Sequence, residues 1–196
     1  MRKSTIILFL LLYPYFSKGQ LAFQKKDLFI SIGATGGDYR YNAFPSSEKA
    51  GRSLPVFVST EYGISNRFSV GPFGGYYFRK YRYVGNFAAD STDEFIYKSH
   101  YTVLGVRGTY HFTEALEKQF DTHLYSEDLD LYVSLLLGYE WNGFTRLNEI
   151  TVNDKSRPVV GAVAGIRYFL NYKVALFAEV GPGILGLASG GLTARF

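Results

Sequence analysis

Seven charged residues lie inside stretches that are otherwise rich in apolar residues, where an unpaired charge is costly. Because both signs occur, these residues can pair with one another, as buried charges require. Such a set has two uses: an ion-pair network that fills an interior, or the lining of a gated or selective pore. The residues are Glu61, Arg79, Arg107, Glu140, Arg167, Glu179 and Arg195.

The three histidines of the chain are candidate metal ligands. His100 and His111 are an odd number of positions apart in one predicted strand, so they point to opposite faces. His123 falls in a linker. The chain has no cysteine, which excludes disulfides, thiolate nucleophiles, cysteine-bound zinc and a lipoprotein anchor. No metal site and no cofactor is predicted.

A lipid-modifying enzyme would use serine, histidine and an acidic residue near a membrane interface. Ser99 and His100 lie close to the acidic residues Asp90, Asp93 and Glu94. A nucleophile needs a base within hydrogen-bond reach. Adjacent residues of a strand point to opposite faces, so Ser99 and His100 are poorly placed to pair with each other. The sequence therefore predicts no catalytic residue, and the chain is not expected to be an enzyme.

These charges must be positioned by strands, because the chain reads as eight strand-like stretches separated by polar segments. Only Thr113–Phe120 reads as a helix, with Thr113 as its N-cap and Glu114 and Lys118 paired one turn apart. The predicted strands are Leu28–Tyr39, Leu54–Ile64, Phe68–Arg82, Lys98–Phe112, Asp130–Phe144, Val159–Leu170, Val174–Val180 and Gly183–Phe196.

Each stretch alternates between an apolar face and a face of Gly, Ser and Tyr with isolated charges, and the seven charges all fall on the second face. A soluble β-sandwich would carry many more polar residues on its outward face. The observed pattern is typical of a small barrel with a crowded polar lumen and an apolar outside. Aromatic residues near the ends of the apolar stripes, such as Tyr139 and Trp141, suit the two membrane interfaces. The sequence thus predicts an all-β, eight-stranded antiparallel transmembrane β-barrel.

The connections agree with a barrel whose two termini lie in the periplasm. Long outward connections are expected at 40–53, 83–97 and 145–158, and short inward turns at 65–67 and 171–173. The connection near Gly181 is unusually short for an outer loop, and 113–129 is long for an inner turn. Pro72 cannot donate to a strand ladder, so it predicts a bulge beside Gly71.

Much of the net positive charge of the chain belongs to a predicted export signal at its start. The chain has 196 residues, a formal charge of +4 and 47% hydrophobic residues. Arg2 and Lys3 precede the apolar run 5–16, which predicts a signal peptide over 1–19 and a barrel domain over 20–196. Loss of Arg2, Lys3 and Lys18 leaves 18 basic and 17 acidic residues, so a nucleic-acid partner is not expected. Beyond residue 17, no apolar run approaches the roughly 20 residues of a membrane-spanning helix.

Several short motifs resemble one family. They are Gly19-Gln20 at the end of the predicted signal, the strand Gly105–Phe112, the stretch from Leu129 to Tyr139, Phe177–Gly181 and the terminal Thr193–Phe196. Together they resemble the small outer-membrane β-barrel proteins of Bacteroidota, labelled "porin family" or "outer membrane protein beta-barrel domain" and PorT-like in the broad sense. The resemblance implies an outer-membrane location and a short helix in a periplasmic linker at 113–129. It also implies that Phe196 acts as a membrane-insertion signal.

The expected function is a structural or interaction role in the outer membrane. The lumen would be plugged by the Arg/Glu pairs, and the outer loops would provide a contact surface. The expected partners are outer-membrane lipids, the barrel insertion machinery acting on the C-terminal strand, and a periplasmic or surface protein. The alternatives are a narrow channel or an accessory barrel for transport or secretion, and then a lipid-modifying enzyme.

Overall fold

The computed structural model describes residues 21–36, 48–88, 91–120, 127–146 and 155–196. The predicted signal peptide and His123 lie outside these residues. In chain order, the elements are β1 (Leu28–Gly36), β2 (Glu48–Arg52), β3 (Val56–Gly63), β4 (Phe68–Ala88), β5 (Ser91–His111), α1 (Thr113–Phe120), β6 (Leu129–Arg146), β7 (Lys155–Phe169), β8 (Val174–Val180) and β9 (Ala188–Arg195).

The strands close into a ring in which every neighbouring pair is antiparallel. β1 pairs with β3, β3 with β4, and each later strand with the next in sequence until β9 returns to β1. β2 pairs with β4 directly beyond β3, so β2 and β3 form one strand of the wall interrupted at residues 53–55. The prediction of a closed, eight-stranded antiparallel barrel with one short helix is confirmed.

Side chains alternate between the lumen and the outside along each strand, as the period of two requires. In β8, Ala175, Phe177 and Glu179 are buried, whereas Leu176 and Val180 are exposed. The outside therefore carries a belt of exposed apolar side chains. The belt includes Ile32, Val58, Val70, Leu104, Val106, Leu135, Leu137, Val160, Ile166, Leu176 and Leu192.

The barrel has two distinct ends. We call the first the terminal end, because residues 21–27, the turns at 64–67 and 170–173, α1 and Phe196 all lie there. We call the second the loop end, where the β4–β5 hairpin and the connection 181–187 lie. Within the described part of the chain, no helix is long and apolar enough to cross a membrane.

Four connections differ from the prediction. The expected loop 40–53 contains β2, and the expected loop 145–158 is shorter because β7 begins at Lys155. The expected loop 83–97 is wrong, because β4 continues to Ala88, β5 begins at Ser91 and the two remain paired beyond the barrel wall. Tyr, Val, Phe, Ile and Thr are frequent there, and these residues favour strands. The last strand begins at Ala188 and not at Gly183. Residues 181–187 instead form a loop whose Ile184 is buried inside the barrel.

The predicted bulge at Pro72 is also wrong. The pairing of β4 with β3 keeps the same register on both sides of Pro72, and so does its pairing with β5. The pairing between β3 and β4 is instead interrupted opposite the proline, between the pairs Ser59–Phe73 and Tyr62–Val70. β3 also comes very close to the preceding residue, Gly71. A Cβ atom on Gly71 would lie only 1.8 Å from the carbonyl oxygen of Thr60, so only glycine fits at this point of the wall.

The helix α1 has the predicted bounds, Thr113–Phe120, and Lys118 pairs with Glu114 one turn away. Thr113 does not act as a simple N-cap. Its hydroxyl accepts a hydrogen bond from the Leu131 amide at 2.5 Å, and thereby attaches the helix to the start of β6.

Candidate functional site

The lumen holds a buried charge network centred on Glu61. The Glu61 carboxylate accepts a hydrogen bond from Arg167 at 2.9 Å and lies 3.7 Å from the Arg107 guanidinium. It also accepts hydrogen bonds from the hydroxyls of Thr109, at 2.6 Å, and Ser69, at 3.1 Å. Every one of these side chains comes from the inward face of a strand. Strand alternation therefore delivers the groups, and the closure of the ring brings them together.

Arg167 extends the network towards the terminal end. Its guanidinium donates to Asp130 at 3.0 Å, and the Asp130 carboxylate also contacts Nδ1 of His111 at 2.9 Å. The other ring nitrogen of His111 lies 3.0 Å from the Ser69 hydroxyl, which returns the chain of hydrogen bonds to Glu61. The imidazole is thus held on both nitrogens by groups of the network.

Arg107 extends the network in the opposite direction. Its guanidinium donates to Glu179 at 2.6 Å and to the Ser134 hydroxyl at 2.7 Å. Glu179 also accepts hydrogen bonds from the Tyr132 hydroxyl, at 2.9 Å, and the Ser189 hydroxyl, at 3.0 Å. Each charged group of this central network contacts a group of opposite charge or a hydrogen-bond partner, so its burial is compensated.

A separate pair lies at the terminal end. Arg195 lies 3.1 Å from Asp27 and donates to the carbonyl oxygen of Leu21 at 3.0 Å. Burial raises the pKa of the Asp27 carboxyl, and the nearby Arg195 opposes that shift. Residues 21–27 cover this end of the lumen, and the ring of Phe23 stacks on His111 with 3.5 Å between centroids. The terminal end is therefore closed directly over the central network.

The other two charged residues that were predicted to face the lumen, Glu140 and Arg79, lie towards the loop end. Glu140 is buried and lies 3.0 Å from Arg157, whose side chain is 61% exposed. The guanidinium of Arg79 lies 5.5 Å from the ring centroid of Tyr77 and 5.7 Å from that of Tyr101. The seven residues singled out in the sequence are all buried, but they form one central network and separate groups at the two ends.

Several of these charged groups were not among the residues predicted from the sequence. Asp130 shares the inward parity of Tyr132 and Ser134, so its position at the start of β6 was a usable signal. His111 was predicted to lie on the face opposite to His100, but its pairing with Asp130 was not predicted. Asp27 precedes β1 and lies outside the alternating pattern, so no sequence signal indicated its pairing with Arg195.

The loop end contains an apolar layer that the sequence did not predict. Ile184, from the inward-folded connection 181–187, packs against Phe73, Val103, Leu136 and Val163 inside the barrel. Leu185 packs against the same group. Among the described residues, the lumen thus contains the terminal cover formed by residues 21–27, the central charge network, this apolar layer, and the buried Arg79 and Glu140 towards the loop end.

The other candidates lie apart. Ser99 is fully buried on the inward face, whereas His100 lies outward and contacts the Tyr76 hydroxyl at 2.6 Å. His100 and His111 are on opposite faces of β5, and the described residues contain no group of three potential metal ligands. Asp90 lies outside the described residues. Phe196 is 72% exposed, and its backbone is bonded to Leu28 beside the terminal end of β1.

Comparison with solved structures shows the same fold. The N-terminal β-barrel domain of OprF from Pseudomonas aeruginosa is 13% identical, with a TM-score of 0.50, and the match covers 88% of this chain and 99% of that one. The outer membrane protein OprG of the same species is 10% identical, with a TM-score of 0.47, and the match covers 91% of this chain and 99% of that one. Ail of Yersinia pestis, solved with the heparin analogue sucrose octasulfate, is 13% identical, with a TM-score of 0.42. That match covers 89% of this chain and 99% of that one. No family model matches the chain and no curated protein matches it significantly. This chain therefore has the fold of small outer-membrane β-barrels.

Proposed function

We propose that this chain spans the outer membrane as a closed barrel with a structural or interaction role. The observation that carries the proposal is the inverted distribution of polarity: apolar side chains form the outer belt, and paired charges fill the lumen. In water, the exposed belt would be a large aggregation hazard. In a bilayer, the same belt meets hydrocarbon, and the strand backbone is satisfied within the closed ring.

The first test concerns the membrane and the barrel. After export and processing before Gln20, the protein is expected in the outer-membrane fraction. Extracted with detergent, it is expected to migrate differently on a denaturing gel before and after boiling. A protein that fractionates with the soluble pool and shows no such shift would contradict the proposal.

The filled lumen supports a plugged barrel and not an open porin. Residues 21–27 cover one end, and Ile184 and Leu185 fill part of the other. Planar-bilayer recordings of the purified protein are expected to show no large, stable conductance. Such a conductance from the wild type would favour the alternative, a narrow channel or transport accessory.

We further propose that the termini face the periplasm, with α1 in a periplasmic linker, and that the loop end faces outward as a contact surface. An epitope inserted between residues 147 and 154 should then bind antibody on intact cells, whereas one inserted between residues 121 and 126 should bind only after the outer membrane is opened. The opposite labelling would reverse the orientation. A surface or periplasmic protein partner and outer-membrane lipids are the proposed contacts, in keeping with the resemblance to Bacteroidota barrels.

The exposed ring of Phe196 is proposed to be read by the barrel insertion machinery. Its side chain makes no part of the buried core, since it is 72% exposed. Phe196→Ser should therefore lower the amount assembled in cells while leaving refolding of purified protein into vesicles unchanged. Phe120→Ser, which changes an exposed aromatic residue of α1, is the matched control.

A further inference from the structure

On the outer surface near the loop end, two lysines lie directly opposite each other. Lys80 of β4 pairs with Lys98 of β5, and both face outward, since the next residues Arg79 and Ser99 are buried. The Cβ atoms of directly opposite residues are about 5 Å apart, so like charges at such positions repel each other. No acidic side chain among the described residues pairs with either lysine. The arrangement is unfavourable unless an anion lies against it.

Nearby aromatic side chains mark the level of the membrane interface. Tyr76, Thr102 and Trp141 are aligned across β4, β5 and β6, and both aromatic rings are partly exposed at the end of the outer belt. Lys80 and Lys98 lie four residues further along the same strands, which is about 13 Å along the strand and about 10 Å along the membrane normal. The headgroup layer on each side of a bilayer is about 5–7 Å thick. The backbone of the two lysines therefore lies just outside this layer.

The Lys98 side chain points back towards the belt. Its ammonium group lies 4.2 Å from the ring centroid of Phe78, which is paired with His100 one step nearer to the belt. Such a cation–π contact holds the charge at the level of the headgroups. Lys80 is exposed, and the flexible four-carbon stem of lysine lets its ammonium group reach the same level.

His100 adds a third donor at this place. Its Nδ1 lies 2.6 Å from the Tyr76 hydroxyl. When that hydroxyl donates to Nδ1, the proton of the neutral imidazole lies on Nε2, and no described residue forms a hydrogen bond with Nε2. The surface thus offers two ammonium groups and one imidazole N–H, all of them hydrogen-bond donors.

This set of donors fits a phosphate group. A phosphate monoester carries nearly two negative charges and three acceptor oxygens at neutral pH, whereas a carboxylate carries one charge and two oxygens. Lysine commonly binds phosphate as a point charge. On the belt side of the donors lie the exposed side chains of Val56, which pairs with Tyr76, and Leu104. The acyl chains of a lipid would therefore meet apolar side chains next to its phosphate.

We propose that Lys80, Lys98 and His100 form a site for the phosphate group of a membrane lipid in the leaflet next to the loop end. The lysine pair supplies the positive charge, and the His100 imidazole supplies an additional donor. This inference rests on the proposed function, because a lipid reaches the site only if the belt spans a bilayer.

The chain carries its own reporter for lipids at this site. Trp141 is its single tryptophan and lies on β6, next to the strand that holds Lys98 and His100. The full-length processed protein is reconstituted in phosphatidylcholine vesicles that contain one brominated lipid, which quenches tryptophan fluorescence on contact. The brominated lipid is phosphatidic acid, phosphatidylcholine or stearic acid, so a phosphate monoester is compared with a zwitterionic lipid and a carboxylate. Each lipid is present in both leaflets, so the result does not depend on the orientation of the barrel.

Phosphatidic acid is expected to quench the wild type more than phosphatidylcholine at equal mole fraction. Each lysine should contribute about fivefold to the relative association constant. Replacing both lysines, Lys80→Gln with Lys98→Gln, should therefore abolish the preference, and replacing both by arginine should retain it. Stearic acid should be preferred less than phosphatidic acid, and millimolar inorganic phosphate should not reduce the quenching.

The matched control is Lys25→Gln with Lys173→Gln, which removes two exposed lysines at the terminal end and should leave the preference unchanged. Migration before and after boiling verifies that each variant has inserted. A wild type that does not insert would overturn both the proposed function and this inference. An inserted wild type would overturn this inference alone if it showed no preference for phosphatidic acid, or if Lys80→Gln with Lys98→Gln retained the full preference. Quenching that inorganic phosphate reduces, or that stearic acid equals, would also overturn the assignment to a lipid phosphate.

Discussion

The guanidinium of Arg167 lies 2.9 Å from the carboxylate of Glu61, although the two residues are 106 positions apart in the chain. Each side chain is only 1% exposed. The pair joins β7 to β3 across the lumen, so it links parts of the wall that are not neighbours in the ring. A contact of this kind forms only when the ring is closed in one register.

Replacing Arg167 should be strongly destabilising. Arg167→Met would leave Glu61 and Asp130 without this partner in a buried site, at a cost of about 3–5 kcal/mol. The free energy of unfolding is measured by denaturant titration in lipid vesicles. Lys118→Gln, which removes an exposed partner of Glu114, is the control and should cost no more than about 0.5 kcal/mol. Equal effects of the two changes would show that the central network contributes little.

A charge placed on the outer belt distinguishes a membrane barrel from a soluble one. Leu135 is 65% exposed in the middle of β6, so Leu135→Arg should cost about 2–4 kcal/mol in a bilayer. Tyr172→Arg, in a turn at the terminal end, should cost about 1 kcal/mol or less. Both are measured as free energies of unfolding in vesicles. If Leu135→Arg were neutral, the belt would not be in contact with hydrocarbon.

Closure of the barrel depends on a narrow gap between its first and last strands. A Cβ atom at Gly191 would lie 2.1 Å from the backbone oxygen of Ile32, and backbone cannot move aside cheaply. Gly191→Ala should therefore reduce the fraction that refolds, judged by migration before and after boiling. Gly108→Ala has open space around the new methyl group and should refold like the wild type. Normal refolding of both variants would show that the contact between β1 and β9 tolerates a side chain at position 191.

The titration of Asp27 gives a pH signature with a definite sign. Its pKa is raised by burial, so the folded protein binds this proton more tightly than the unfolded chain, whose pKa is about 3.9. The folded state therefore loses stability as pH rises from below that value through the higher folded pKa.

Asp27→Asn removes this titration. The free energy of unfolding of the wild type minus that of Asp27→Asn should fall as pH rises through this window. Denaturant midpoints of both proteins, measured from about pH 3.5 to about pH 6.5, provide the comparison. A difference that rises with pH would mean that Arg195 outweighs burial and holds Asp27 ionised.

Strand alternation explains how much of the fold was predictable. Glu61, Arg107, Arg167 and Glu179 were assigned to one face because side chains in a strand alternate with a period of two, which is a local property. Which of them meet depends on strand order and register, and these are set by the closed ring. The pairing of Arg167 with Glu61, on strands that are not neighbours in the ring, is an example that local pattern alone does not specify.

The two ends of the lumen were not predictable for a different reason. Ile184 lies in a segment that reads as the start of a strand, but the chain turns into the barrel there and buries its apolar side chain. Phe23 precedes β1 and has no periodic neighbours, yet it stacks on His111. Both are contacts of irregular segments with a cavity that exists only after the strands have closed.

The hydrogen bond from Arg195 to the Leu21 carbonyl joins residues separated by 174 positions. During synthesis, residues 21–27 therefore emerge long before the side chain that holds them. Residues 21–27 cannot take their final position on a partly synthesised chain, because Arg195 reaches them only after β9 has paired with β1. The first described residues of the chain are thus among the last to reach their final position. In a chain that lacks Arg195, nothing would hold residues 21–27 through these contacts at the terminal end of the barrel.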